Sequence, residues 1–254
     1  MNKSINYSSR DGRQHTIMFN DLLGQGHNMD AAIRNGSLFS RPDHNYAPLL
    51  EYLHPGDVVY DCGAYIGTFS IPMALEGMMV YSFEAWPDNA VRCEKNYAPY
   101  DNIESFSVAL SNENKTETQQ IVHCMDWVNH DSSDYREIRN VRLDDFIIEQ
   151  DIPDPRLIKM DIEGMESLAM LGCTRLLEEV RPVWQMGYHF RIVHGVDMPS
   201  FPGWVDASNG GFDWTLIEEL DYVVCDHHGN EIGSQVLFSR GGEYIFVPRE
   251  LWGE

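Results

Sequence analysis

One βαβ unit limits what this chain can fold into more than anything else in it. Val58-Val59-Tyr60 reads as a buried strand that ends at Asp61 and runs into the turn Gly63-Ala64-Tyr65-Ile66-Gly67, which opens a helix. Gly63 permits the tight reversal after the strand, and Gly67 lets the new helix lie close to the sheet. A second strand, Met79-Val80-Tyr81-Ser82-Phe83, ends in Glu84, 23 residues beyond Asp61. That spacing fits an acidic ribose reader at the end of the second strand. The unit is predicted to hold a nucleoside.

The turn also says which nucleoside ligands fit poorly. A dinucleotide site wants Gly-x-Gly-x-x-Gly, so that bare backbone can approach a pyrophosphate. Here Tyr65 stands where a small residue is wanted, and Asp61 at the strand end would repel phosphate. A carboxylate in the crevice would instead attract a cationic amino-acid moiety, such as the methionine end of S-adenosylmethionine (SAM). An NAD-dependent oxidoreductase and a non-catalytic SAM-binding module remain as alternatives.

A third segment, Leu157-Ile158-Lys159-Met160-Asp161-Ile162-Glu163-Gly164-Met165-Glu166, again delivers carboxylates to a strand end. With Gly63-Ala64-Tyr65-Ile66-Gly67, Phe83-Glu84-Ala85-Trp86-Pro87 and Leu143-Asp144-Asp145 it resembles, in order and spacing, the FkbM family of SAM-dependent methyltransferases. The match runs from about Leu50 to His189; the N-terminal stretch and the last sixty or so residues carry no matching motif. The resemblance implies a Rossmann-like class I methyltransferase fold and SAM as cofactor. It further implies O-methylation of a hydroxyl on a sugar, glycan or other small polar metabolite.

Composition narrows the partners. The 254 residues carry 40 acidic against 18 Lys and Arg side chains, a formal charge of −22, and Lys3, Lys95, Lys115 and Lys159 are the only lysines. Neutralising a phosphate backbone needs clustered cations, so nucleic acid is not expected as the acceptor. No apolar run approaches the length of a membrane span, and no membrane association is expected. The first twenty residues lack a continuous apolar segment, and the five scattered cysteines form no Cys-x-x-Cys pair. Both features predict a cytoplasmic protein with reduced thiols. A homodimer is an open alternative to a monomer.

The pattern of elements predicts an α/β, doubly wound core. Residues 1–50 read as an N-terminal helical and strand extension, a cap, with a strand near His15–Phe19 and helices near Asn28–Arg34 and Asn45–Tyr52. Residues 51–254 read as the SAM-binding domain. Its strands are expected near 57–62, 79–84, 103–110, 157–161 and 183–186, with helices near 66–76, 88–97 and 163–179. Alternation of this kind implies a mostly parallel sheet with right-handed crossovers. The polar stretch 111–138 is expected to form a surface hairpin and loop, and 194–211 is a candidate lid. Strands near Tyr222–Asp226 and Glu243–Val247 would give the antiparallel finish of a methyltransferase sheet.

Site residues follow from these placements. Asp61, Gly63, Ala64, Tyr65 and Gly67 are assigned to the methionine end of SAM, and Glu84 to the two ribose hydroxyls, since vicinal O–H donors match one carboxylate. Ala85 and Trp86 would flank the adenine, with plain packing an equal alternative for Trp86. The resemblance adds Ser111, in the loop after the third strand, beside the adenine. Asp161, Glu163 and His189 are the catalytic candidates on the acceptor side, Asp161 also touching cofactor. His189 would act as general base, because an imidazole titrates near neutrality. Asp161 and Glu163 as Mg²⁺ ligands are the other reading of those carboxylates.

Overall fold

The computed structural model describes residues 3–19, 47–120, 135–188, 212–235 and 242–253. The chain opens with two strands, β1 (Lys3–Ser8) and β2 (Gln14–Phe19), and a 3-10 turn at Ala47–Tyr52. The core follows as β3 (Val58–Cys62), α1 (Ser70–Leu75), β4 (Met79–Phe83), α2 (Pro87–Tyr97) and β5 (Ile103–Phe106). Next come β6 (Ala109–Leu110), β7 (Lys115–Gln120), β8 (Tyr135–Val141), α3 (Leu143–Glu149), β9 (Leu157–Met160) and α4 (Glu166–Leu171). A π-helical turn at Leu176–Val180 leads to β10 (Val183–Tyr188), α5 (Leu216–Glu219), β11 (Tyr222–Asp226) and β12 (Gly242–Pro248).

Seven strands form the central sheet in the order β5-β4-β3-β9-β10-β12-β11. The first five run parallel, and β12 is antiparallel to both neighbours. This is the class I methyltransferase arrangement, a doubly wound, Rossmann-like α/β fold. The reversed β12 inserted between β10 and β11 sets it apart from all-parallel dinucleotide-binding sheets.

Both faces of the sheet are covered, so its strands read as near-continuous apolar runs. Alternate residues serve opposite cores. Tyr60, Ile158, Trp184 and Met186 pack with Phe146 and Met170 on one face, while Val59, Leu157, Val183 and Ile245 pack with Leu49, Phe69 and Met73 on the other. The buried polar residues Asp61, Ser82 and Lys159 interrupt the second of these faces, towards the C-terminal ends of β3, β4 and β9.

Several elements differ from the sequence expectations. Helix α1 starts at Ser70 rather than near 66, because Tyr65 (φ 59) and Gly67 (φ 92) hold left-handed backbone that a helix does not admit. The strand expected at 103–110 is two, β5 in the main sheet and β6 in a small sheet of order β6-β8-β7. The helix expected over 163–179 is shorter: α4 ends at Leu171, with Gly172 as its C-cap. At the N-terminus β1 and β2 pair as an antiparallel hairpin, and its inward Ile5, Tyr7, Ile17 and Phe19 join Ala64, Ile66, Ile71 and Tyr97 in one cluster. The helix expected near Asn28–Arg34 and the segment 194–211 lie outside the described residues.

The hairpin is bolted down at its tip. Arg10 Nε lies 3.0 Å from Glu76 at the end of α1, and its guanidinium donates to the carbonyls of Leu50 at 2.7 Å and Leu53 at 3.0 Å. The Tyr7 hydroxyl donates to the same Glu76 carboxylate. The back of the glycine turn is thus packed against an element remote from it in sequence.

Candidate functional site

The turn after β3 is held from two sides. Gly63 N and Ala64 N both donate to Phe83 O on β4, at 2.8 and 3.2 Å. Glu84, just past β4, accepts the N–H of Tyr65 on Oε2 at 2.7 Å and the N–H of Trp86 on Oε1 at 2.9 Å. An ionised carboxylate offers about four acceptor positions, so two bonds leave capacity on each oxygen for a donor from the crevice. Glu84 is 9% exposed. Burial pushes its carboxyl up to about 7, opposed by the two backbone N–H bonds and the Lys159 cation, with Asp61 adding to the rise.

The glycines do more than turn the chain. A Cβ on Gly63 (φ +83) would stand 2.0 Å from Asp161 O, so the loops after β3 and β9 touch backbone to backbone. Gly67 faces the Tyr97 ring of α2, where a Cβ would come within 2.4 Å of Cε1. Ala64 is buried and Tyr65 half-buried.

Asp61 departs from its expected orientation. Its side chain is fully buried, beneath the turn rather than open to the crevice. Residue 61 alternates with Tyr60 and Cys62, so it points to the face covered by α1. There Ser70 Oγ donates to Oδ2 at 2.6 Å, Tyr97 OH to Ser70 Oγ at 3.1 Å, and Tyr97 OH and Ser82 Oγ lie 3.0 Å apart. Lys159, the register partner of Asp61 on β9, puts Nζ 3.2 Å from Oδ1. The same ammonium donates to Gly63 O at 2.8 Å and Cys62 O at 3.4 Å. The role of Lys159 was missed in the sequence, where it appeared only as a motif letter. The signal was a lone lysine within an otherwise apolar strand. Cys62, between these groups, is buried with its thiol pushed far up, which keeps it protonated packing material.

The catalytic candidates Asp161 and Glu163 sit in the turn after β9, both half-buried. Glu163 has φ 58, left-handed backbone in a residue with a Cβ. Fully buried Glu166 brackets it, Oε1 accepting Ile162 N at 3.2 Å and Gly164 N at 3.1 Å. Glu166 therefore shapes this turn instead of sharing an open face with Glu163. Asp161 lies over Gly187 of β10, where a Cβ would come within 2.8 Å of its Cγ. Gly187 is a second residue that the sequence reading did not single out. His189 lies outside the described residues.

Of the residues assigned to the adenine, Trp86 is buried, and Arg136 of β8 stands over its ring, 5.6 Å from the centroid. Ala85 is half-buried. Ser111 N donates to Val141 O at 2.9 Å, which ties the loop after β6 to the end of β8. Among the described residues no group of three or more His, Cys, Asp or Glu gathers at a metal-binding distance, so Asp161 and Glu163 are not joined there by a third such side chain. No described helix is long and apolar enough to cross a membrane.

Residues 61–223 match the family model described as the methyltransferase FkbM domain. A curated tRNA (guanine(37)-N(1))-methyltransferase of Leishmania major is 26% identical over 109 residues, 41% of this chain. The match spans 16% of that relative. Among solved structures, the FkbM methyltransferase of Methylobacillus flagellatus KT superposes with a TM-score of 0.48 at 18% identity, over 76% of this chain and 44% of that one. A TehB-like SAM-dependent methyltransferase of Corynebacterium glutamicum gives 0.42 at 13% identity, over 87% and 96% of the two chains.

Proposed function

The chain belongs to the FkbM methyltransferase family, and we propose that it transfers a methyl group from SAM to a hydroxyl of a small polar acceptor, such as a sugar or glycan. The observation that supports SAM best is Glu84, a buried carboxylate at a strand end whose two oxygens each retain acceptor capacity. When bound, SAM supplies an electrophilic methyl carbon already attached to a good leaving group. The residues have three tasks. Glu84 accepts the ribose hydroxyls, and the turn from Gly63 to Gly67, held by Phe83 O and Glu84, borders the ligand. Asp161 and Glu163 orient the acceptor in line, which accounts for much of the acceleration available to such a reaction. The proton of the acceptor oxygen passes to one of these carboxylates or to His189.

The acceptor class follows from charge. With a formal charge of −22 and four lysines, the chain is poorly suited to an RNA backbone. A neutral polyhydroxyl acceptor suits two carboxylates that accept hydrogen bonds. Calorimetric titration with S-adenosylhomocysteine (SAH) and NAD on one sample tests the donor: micromolar binding of SAH and silence from NAD are expected, and the reverse overturns the reading. Transfer of labelled methyl from SAM to neutral sugars, with tRNA in parallel, tests the acceptor. Label in tRNA alone would overturn the small-acceptor proposal.

A further inference from the structure

We propose that Lys159 is a positioning residue for the cofactor turn, keeping the Gly63 carbonyl turned away from the crevice. The inference rests on the SAM reading given above. Lys159 is 4% exposed, in the interior of a parallel sheet where an ammonium is costly to bury. Charge balance with Asp61 needs one contact, and Oδ1 supplies it at 3.2 Å. Two further contacts go to Gly63 O at 2.8 Å, a main-chain group of the turn, and to Cys62 O at 3.4 Å at the end of β3, which also accepts the N–H of Asp161.

The peptide after Gly63 needs such a hold. Gly63 stands at φ +83, and glycine crosses between left-handed and right-handed backbone at little cost. Among the described residues the other edge of that peptide is held by the Ala64 N–H bond to Phe83 O at 3.2 Å. Without the ammonium, Gly63 O loses its charged partner, and rotation of the peptide would turn a carbonyl toward the ligand. With it, the carbonyl points down to β9 and the turn keeps its N–H groups on Phe83 and Glu84. Lys159 also faces Glu84 and Asp61 electrostatically, lowering the Glu84 carboxyl while Asp61 raises it.

A charge pair that only stabilises the fold and a lysine that also holds the turn are separated by a charge-neutral double variant. Lys159→Met leaves Asp61 buried beside no cation, so both melting temperature and SAH affinity should fall, the affinity by about tenfold or more. Lys159→Met with Asp61→Asn removes both charges. The melting temperature should then recover, while calorimetric SAH affinity stays low because Gly63 O still has no donor. Lys159→Gln with Asp61→Asn restores a shorter donor and should regain part of that affinity. Recovery of affinity together with stability in the Met and Asn pair overturns the proposal and leaves a structural ion pair. Wild-type protein that binds no SAH overturns the SAM reading and this inference with it.

Discussion

Glu84 Oε2 accepts the N–H of Tyr65 at 2.7 Å while Tyr65 holds φ 59. An acidic side chain from one strand end thus restrains a left-handed, non-glycine residue in the turn after the neighbouring strand. Such backbone costs about 1–3 kcal/mol and persists where the surroundings over-determine it. Glu84→Gln keeps one acceptor oxygen but presents an NH₂ group to the other N–H. Calorimetry should show SAH affinity reduced by about tenfold or more, together with a lower melting temperature.

Titration of the same carboxyl sets a pH dependence. Its folded pKa, about 7, lies above the ordinary 4.5, so the fold favours the protonated form. The corresponding stabilisation of the free protein is complete below 4.5 and is lost as pH rises through about 7. Ribose hydroxyls donate to the ionised form, so SAH affinity should run the other way, rising between pH 6 and 8. In Glu84→Gln this rise should be absent from calorimetric titrations made across that range.

Two glycine substitutions should rank in a definite order. Alanine at Gly63 would put a Cβ 2.0 Å from a backbone oxygen, at φ +83, whereas alanine at Gly187 would meet the Asp161 side chain at 2.8 Å. Backbone cannot retreat as a side chain can. Urea unfolding should find Gly63→Ala destabilised by about 3 kcal/mol or more, and Gly187→Ala by about 1–2 kcal/mol.

The turn after β9 depends on Glu166 in a testable way. Glu166→Ala strips the acceptor from Ile162 N and Gly164 N, and should cost about 2–4 kcal/mol in the same urea assay. Glu163→Gly relieves left-handed strain and should leave stability within about 1 kcal/mol of wild type, while Glu163→Val should lose more.

The hairpin offers a separate handle. Removing the Glu76 carboxylate by Glu76→Ala deprives Arg10 and Tyr7 of a shared partner. Amide hydrogen exchange should accelerate first in β1 and β2, with a global loss of about 1–3 kcal/mol.

The βαβ unit was legible because its information is local: a strand, two glycines and an acidic residue at fixed offsets. Glu84 fell where that pattern put it, at the end of β4 and against the turn. The orientation of Asp61 was not legible, because a strand end opens to the crevice on one face and to the helix layer on the other. Which face residue 61 takes depends on Ser70 and on Lys159, nearly a hundred residues later in the chain. Lys159 itself becomes meaningful only once β9 is known to pair with β3. The start of α1 was missed because nothing in Tyr65 announces left-handed backbone; the restraint comes from Glu84. Glu166 was only the last letter of a motif, and the fold of the turn shows its oxygen closing over two backbone N–H groups.

The contact between Gly63 and the Asp161 carbonyl ties two walls of the site to each other. The wall that would hold the donor and the wall that would receive the acceptor share a backbone-to-backbone seam, with no side chain between them to be exchanged. A substitution that reshaped either wall would be felt at once by the other. Changes confined to side chains clear of this seam leave both walls in place.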